Sequence, residues 1–452
     1  MNYNDKNMFF QVVYMNFNAS GFILFGGGAD YEILKNIGGI INSAISGEEK
    51  KEVLCTKLHR EIKKILVLAT DFGFDGNLWQ NYLTFLIMTD ENPFSITCEN
   101  TGAGEGSVNR FALHDFEIFK NLFRYDFSGV ELLLGTDVFS VITDYKAIVK
   151  KERLYNKNVS EKVHILSEKL AKTESAEEFF TEVTDFYRNT GVGMFGLNRA
   201  FRINSSQEGK VDFLPINNMD KVQLSDLVGY EIQKKRLFDN TMNFVNGLSA
   251  NNVLLYGDSG TGKSTCIKAI VNEFYDRGLR MIEIYKYQFR DLSAVISMIK
   301  NRNYKFIIYM DDLSFEEFEI EYKFLKAVIE GGVESKPDNI LIYATSNRRH
   351  LIKESWGDKD DMEHSEDIHR SDTMEEKLSL VNRFGVSICF TRPSREEFYG
   401  IVAELAKRAG VDMPEEKLRA EANKWEMRSN GISGRTAQQF VNSLTGVSLD
   451  KS

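Results

Sequence analysis

Residues Gly257 to Thr265 read Gly-Asp-Ser-Gly-Thr-Gly-Lys-Ser-Thr. The stretch fits G-x-x-x-x-G-K-[ST], a pattern whose glycine-rich turn cradles nucleotide phosphates. Its flanks agree with that reading. Asn252 to Tyr256 is a short apolar run that reads as a buried parallel strand. Beyond Ser264, the segment Thr-Cys-Ile-Lys-Ala-Ile-Val-Asn-Glu-Phe has apolar residues at helical spacing. Strand, turn and helix start meet at one point, where backbone N–H groups and the helix N-terminus favour an anion. Gly257, Asp258, Ser259, Gly260, Thr261, Gly262, Lys263, Ser264 and Thr265 are therefore the candidate phosphate-binding residues. Lys263 is expected on the β- and γ-phosphates, and the Ser264 hydroxyl on Mg²⁺. A Gly-Ser-Thr turn ahead of a helix is the alternative, and the strand and helix flanks argue against it.

A second constellation follows. Phe306-Ile-Ile-Tyr-Met-Asp311-Asp312 is an apolar strand ending in two carboxylates. Asp311 would hold Mg²⁺ and Asp312 would polarise the attacking water, since phosphoryl transfer asks for positioning and charge neutralisation. Ile340 to Asn347 is another apolar strand that turns polar at its end. Ligands of open α/β sheets bind beyond strand C-termini, so Asn347 (or Thr345) is a candidate for orienting water. A turn-forming Asn is the competing reading.

Around these motifs the chain falls into regions. Residues 1–205 form a first region with amphipathic stretches at Val53–Val67, Glu161–Leu170 and Glu177–Tyr187, and with ambiguous runs at Phe22–Phe25 and Val138–Ile142. It is expected to be a separate, largely helical or mixed domain. Residues 206–224 have linker composition. Residues 225–392 alternate strands and helices, with strands expected at Asn252–Tyr256, Arg280–Tyr285, Lys305–Met310, Ile340–Thr345 and Val386–Phe390. That alternation argues for an α/β class with a parallel sheet covered on both faces. Residues 393–452 read as helical, opening on the capping box Ser394-Arg-Glu-Glu397.

The sequence now resembles the AAA+ ATPases at named positions. Asp226-Leu-Val-Gly-Tyr230 is similar to the segment that packs on adenine, which points to Val228, Gly229 and Tyr230. Asn347 resembles sensor 1. Asn382-Arg-Phe-Gly385 resembles the box carrying the arginine finger, which would be Arg383, and Gly434-Arg435 resembles sensor 2. The resemblance covers roughly Ser225 to Gly446. It implies a P-loop core with a five-stranded parallel sheet in the order 5-1-4-3-2, a C-terminal helical lid, ATP and Mg²⁺ as cofactors, and catalytic roles for Asp312, Asn347, Arg383 and Arg435. A closer resemblance is to a prokaryotic AAA+ family known as a domain of unknown function. It rests on Phe186–Phe201, Asp311-Asp-Leu-Ser-Phe315, Ala344–His350 and Glu376–Leu380.

One departure matters. Most AAA+ proteins end this strand in Asp-Glu, whereas this chain has Asp-Asp, and Asp312 is one methylene shorter. Slow turnover is expected. Initiator and helicase-loader proteins of the superfamily share the Asp-Asp pair. The implied activity is therefore ATP hydrolysis coupled to remodelling of a macromolecular client, with a DNA-associated loader or a slow ATP switch binding a protein partner as alternatives. Arg383 would act on a neighbour's ATP in a homo-oligomeric ring such as a hexamer, a contribution on the order of 10³–10⁵ in rate.

Bulk properties bound the rest. The formal net charge of −10 disfavours nucleic acid as a partner on global charge. Between Lys353 and Glu376, however, ten acidic residues face three basic ones, so the excess is local. No run approaches the roughly 18 apolar residues of a membrane span, and the N-terminus lacks signal-peptide features. Cys55, Cys98, Cys266 and Cys389 are widely spaced, which suits reduced thiols in the cytoplasm and offers zinc no ligand set. Gly191-Val-Gly193-Met-Phe-Gly196 matches G-x-G-x-x-G formally but follows a helical stretch, so a helix stop is the better reading. The cluster Lys57, Arg60, Lys63 and Lys64, like that at Lys146–Lys157, reads as a solvated face. His364 and His369 sit in the acidic stretch, five apart, a spacing that does not bring them to one helix face.

Overall fold

The computed structural model describes residues 17, 19, 21–148, 157–205, 210–217, 219–315, 321–330, 337–347, 383–429 and 431–448. The acidic stretch 353–376, with His364 and His369, lies outside them, as does most of the Lys146–Lys157 cluster. The chain divides into two units, Met1–Asn198 and Arg199–Ser452.

The first unit is helical throughout its described elements: α1 Ala29–Ser46, α2 Lys51–Phe72, α3 Leu78–Thr89, α4 Pro93–Thr101, α5 Val108–Phe123, α6 Ser128–Leu134, α7 Val138–Thr143, α8 Lys157–Lys172, α9 Ala176–Thr190 and α10 Gly193–Leu197. Helix α2 buries Leu54, Leu58, Ile62, Ile65 and Ala69, one stripe at 3.6-residue spacing. Its outer face carries Lys57, Arg60, Lys63 and Lys64, all exposed. Helix α3 is buried on nearly every side, as a central helix must be. Trp79 and Tyr82 on α3 anchor a core with Phe94, Phe116, Phe119 and Phe179. Asp115, fully buried, accepts hydrogen bonds from the N–H groups of Ile23, Leu24 and Phe25, which explains why the ambiguous run Phe22–Phe25 is neither helix nor strand. The glycine pattern at 191–196 is a helix stop at Gly191 followed by the short α10.

The second unit holds a seven-stranded sheet: β1 Ala200–Ser205, β2 Val211–Pro215, β3 Val253–Gly257, β4 Leu279–Glu283, β5 Lys305–Met310, β6 Ile340–Ser346 and β7 Val386–Phe390, in the order β2-β1-β4-β5-β6-β3-β7. This corrects the five-stranded expectation. The five expected strands lie side by side, and β1 and β2 extend the sheet past β4. Strand β1 runs parallel to β4, and β2 returns antiparallel to β1. The extra strands fall where the sequence suggested the end of the first region and a linker. The polar run after Ser205 that gave that impression connects two strands whose alternate residues, Phe201, Ile203, Val211 and Phe213, are buried.

Helices α11 Glu231–Val245, α12 Lys263–Phe274, α13 Leu292–Ile299 and α14 Glu321–Glu330 accompany the sheet. Every residue of β6 is buried, and five of six in β5, the mark of strands covered on both faces. Helices α15 Arg395–Arg408, α16 Glu415–Arg428 and α17 Gly434–Ser448 form a helical cluster with its own core of Phe398, Val402, Leu418, Ala422, Ala437 and Phe440. The capping box opens α15: Ser394 Oγ accepts from Glu397 N at 3.3 Å, and Glu397 Oε2 accepts from Ser394 N at 2.7 Å.

Candidate nucleotide-binding site

The glycine-rich turn leaves β3 at Gly257 and enters α12 at Lys263. Two of its glycines are dictated by sterics. Gly257 has φ 127°, and a Cβ there would lie 2.2 Å from the Phe390 carbonyl oxygen of β7. Gly262 has φ 91°, and its Cβ would lie 2.7 Å from a Leu227 methyl. Only glycine takes such conformations at such close approach.

Lys263 folds back over the turn. Its Nζ donates to the carbonyl oxygens of Gly257 and Asp258, at 2.9 and 2.6 Å, and to Asn347 Oδ1 at 3.0 Å. Burial pulls the ammonium pKa down, and the nearby Asp258, Asp312 and Asp311 carboxylates pull the other way. Ser264, one residue on, donates to Asp311 Oδ1 at 2.7 Å. Thr345 and Tyr309 also donate to that oxygen, both at 2.6 Å. Burial alone would raise the Asp311 pKa. The hydrogen bonds from Thr345, Tyr309 and Ser264 outweigh it, so the carboxyl sits below its ordinary value and is ionised.

Asp312 follows in a left-handed conformation, φ 50°, rare for a residue with a side chain. Two bonds hold it there: Asp312 N donates to Thr345 Oγ1 at 2.9 Å, and Asn347 Nδ2 donates to Asp312 Oδ1 at 2.7 Å.

These groups line one cavity of about 660 Å³, within the range of roughly 300–1,000 Å³ typical of small-molecule sites. Its polar floor is Ser259 to Thr265 with Asp311, Asp312, Thr345 and Asn347. Its other walls come from Asp226, Leu227, Val228 and Tyr230, and from Ile401, Leu405, Gly434, Arg435 and Gln438 of the helical cluster. The cluster is tied to the turn directly, because Arg435 N donates to the Gly260 carbonyl at 3.1 Å. Tyr230 (φ 59°) packs its ring 5.1 Å from that of Phe390 and donates to the Thr391 carbonyl at 2.9 Å.

Most residues singled out from sequence thus meet in one place. Gly229, Gly257 and Asp258 are not among the residues that line it; the Asp258 carboxylate instead accepts from Arg392 N at 2.8 Å. Arg383 is elsewhere. The register pairs Val253 with Val386 and Gly257 with Phe390, so Arg383 lies at the strand-start edge of the sheet, opposite the turn. The intervening strand alone spans about 13 Å at ~3.3 Å per residue. Leu227, Ile401, Leu405, Gln438 and the Tyr309 hydroxyl were not singled out. Ile401 and Leu405 are apolar positions of α15, and their four-residue spacing puts both on the face that borders the cavity.

The donor set at Ser264 and Asp311 is hard oxygen, one hydroxyl and one ionised carboxylate in contact. It fits Mg²⁺, which is commonly held by one or two carboxylates together with substrate phosphate oxygens.

A glycine-rich turn between strand and helix, an acidic strand end beside it and a helical cluster over it make this unit similar to the AAA+ P-loop ATPases. Residues 197–448 match the family described as "Protein of unknown function (DUF815)". The chain belongs to that family. Among solved structures, the RuvB Holliday junction branch migration motor of Thermotoga maritima is 15% identical over 52% of this chain and 67% of that one, with a TM-score of 0.36. A point mutant of the same motor, with glycine in place of a proline, is 16% identical over 52% and 69%, also at 0.36. At that likeness no role passes from those proteins to this one. No curated protein matches the chain.

Proposed function

We propose that this protein binds ATP with Mg²⁺ and hydrolyses it to ADP and phosphate, coupling the cycle to remodelling of a macromolecular client. The observation that carries the reading is the convergence of Lys263, Ser264, Asp311, Asp312 and Asn347 on one cavity walled by both the sheet and the helical cluster.

In this reading the turn's backbone N–H groups take the phosphates, and Lys263 exchanges its carbonyl partners for β- and γ-phosphate oxygens. Ser264 and Asp311 hold Mg²⁺, which when bound neutralises developing phosphate charge. Asp312 accepts a hydrogen bond from the attacking water, and Asn347 orients Asp312 and the water together. Val228, Gly229 and Tyr230 form the base end with Ile401 and Leu405. Arg435, on the helical cluster, reaches the phosphates and carries their state to α15–α17, the lid. Arg383 is too far from its own turn to serve it and acts on a neighbour's ATP in a homo-oligomeric ring.

Hydrolysis is slow in this reading. Asp312 is short, its backbone is fixed in a left-handed conformation and one of its oxygens already accepts from Asn347. That favours a switch-like cycle over a fast motor. The Asp-Asp pair also keeps a DNA-associated loader in view, which predicts ATPase stimulation by DNA that weakens steeply with salt. No helix of the described residues is long and apolar enough to cross a membrane. The first unit is proposed as the client-recognition domain.

The direct test is calorimetry with ATP and Mg²⁺ on wild type and Lys263→Ala. Binding by wild type and its loss in the variant support the reading. A wild type that binds no nucleotide refutes it.

A further inference from the structure

Three hydroxyl groups converge on a single carboxylate oxygen, Asp311 Oδ1. The Ser264 hydroxyl belongs to the phosphate turn. The other two come from the sheet itself. Tyr309 stands two residues before Asp311, so both side chains lie on one face of the strand direction, and its hydroxyl reaches forward to the carboxylate. Thr345 comes from β6. The β5–β6 register pairs Tyr309 with Tyr343 and Met310 with Ala344, and its continuation sets Thr345 beside Asp311. Tyr309 is 1% exposed and Thr345 2%, so neither is a surface hydroxyl that found a partner by chance.

Thr345 has a second duty. Its Oγ1 accepts the N–H of Asp312, at the residue whose backbone is left-handed. One threonine hydroxyl therefore bonds both members of the acidic pair: it donates to the side chain of the first and accepts from the main chain of the second. Removing it would take one of three hydroxyl donors from the Asp311 side chain and one of two restraints from Asp312 in one step. The Tyr309 hydroxyl donates to the Asp311 side chain and has the Ser264 and Thr345 hydroxyls beside it.

We propose that Thr345 and Tyr309 are positioning residues for the metal-holding carboxylate, their hydroxyls locking the side chain of Asp311 so that Ser264 and Asp311 present a fixed pair of oxygens to Mg²⁺. This rests on the ATP–Mg²⁺ reading above and deepens it. Outer partners of metal ligands matter because a ligand that must be ordered at the moment of binding holds the ion less tightly, by about 10–100-fold when such a partner is removed. A purely structural role, in which buried hydroxyls only satisfy one another inside the sheet, would alter stability and leave metal affinity alone.

The test compares Thr345→Val, Thr345→Ser and Tyr309→Phe with wild type in the full chain. The first and third remove one hydroxyl at nearly constant shape, and the second keeps it. Three quantities are read: ATP binding in EDTA, the Mn²⁺ affinity of the ATP complex by electron paramagnetic resonance, and the melting temperature. The expected result is Mn²⁺ affinity about 10–100-fold weaker in Thr345→Val and Tyr309→Phe, a loss that exceeds any change in their ATP binding in EDTA, and restored in Thr345→Ser. A lower melting temperature with unchanged Mn²⁺ affinity marks a structural role and overturns the inference, as does failure of Thr345→Ser to restore affinity. Wild type that binds ATP and Mn²⁺ normally while the variants match it defeats this inference alone; wild type that binds neither defeats the nucleotide reading and this inference with it.

Discussion

Asn347 bridges Lys263 and Asp312: its Oδ1 accepts from the Lys263 ammonium at 3.0 Å while its Nδ2 donates to Asp312 Oδ1 at 2.7 Å. The residue expected to grip phosphate and the residue expected to engage water thus share one amide. An oxygen of Asp312 is spoken for as long as Asn347 keeps this orientation, and that orientation is supported by Lys263. Withdrawal of Lys263 onto a triphosphate removes half of the support.

Asn347→Ala therefore separates binding from turnover. Nucleotide binding is expected to persist, because the turn and Lys263 remain, while kcat falls by about 10²–10³, the usual cost of losing one oriented hydrogen-bond donor at a reacting centre. Calorimetry and steady-state phosphate release check the two halves independently.

Asp312→Asn keeps the side-chain shape, and Asn tolerates the left-handed backbone as readily as Asp. ATP binding should survive and hydrolysis drop by about 10²–10⁴, the range for removal of a proton acceptor. The variant is then a trap: incubated with ATP and passed over cell extract, it should retain a client that Lys263→Ala does not.

Arg383→Ala should bind ATP and fail to hydrolyse it, with a loss on the order of 10³ or more. Its position at the far edge of the sheet from its own turn makes a mixing experiment decisive. Arg383→Ala is expected to hold nucleotide, and Lys263→Ala to offer Arg383. If the arginine works across a subunit boundary, mixing the two inactive proteins restores part of the activity. An Arg383→Ala protein that loses ATP binding with its fold intact contradicts this assignment.

Gly257→Ala tests the fold beneath the chemistry. The new methyl would meet the Phe390 carbonyl at 2.2 Å from a backbone with φ 127°. Overpacking and backbone strain each cost about 1–3 kcal/mol, so a clear fall in denaturation midpoint is expected. Gly278→Ala serves as the comparison, since φ is also positive there but no atom lies within 4 Å of the added methyl.

Much of this could be read from the chain alone, for identifiable reasons. The glycine-rich turn is fixed by residues close in sequence, and Gly257 and Gly262 are needed where they stand. Strands β4, β5 and β6 announce themselves as apolar runs because both faces are covered, while the edge strand β7 buries only Ile388 and Phe390. Strands β1 and β2 did not, since each is short, alternating and joined by a polar run that imitates a linker. Tyr309 was hidden by its setting: a tyrosine inside Phe306–Met310 reads as one more core aromatic, and only the register reveals where its hydroxyl goes. The left-handed Asp312 had no signal at all, because Asp carries no preference strong enough to announce it. Leu227 and Leu405 depend on how distant segments close over the turn, which periodicity does not encode.

The helical cluster over the cavity also contains its own optical probe. Of the three tryptophans in the chain, Trp79 is in the helical first unit, Trp356 is outside the described residues, and Trp425 sits on α16 with its ring 6.1 Å from that of Phe440 on α17. Helix α17 is the one whose first turn hydrogen-bonds the Gly260 carbonyl. A chain keeping only Trp425 would therefore report, by its emission, whether adding a nucleotide changes the surroundings of α16, with no dye attached.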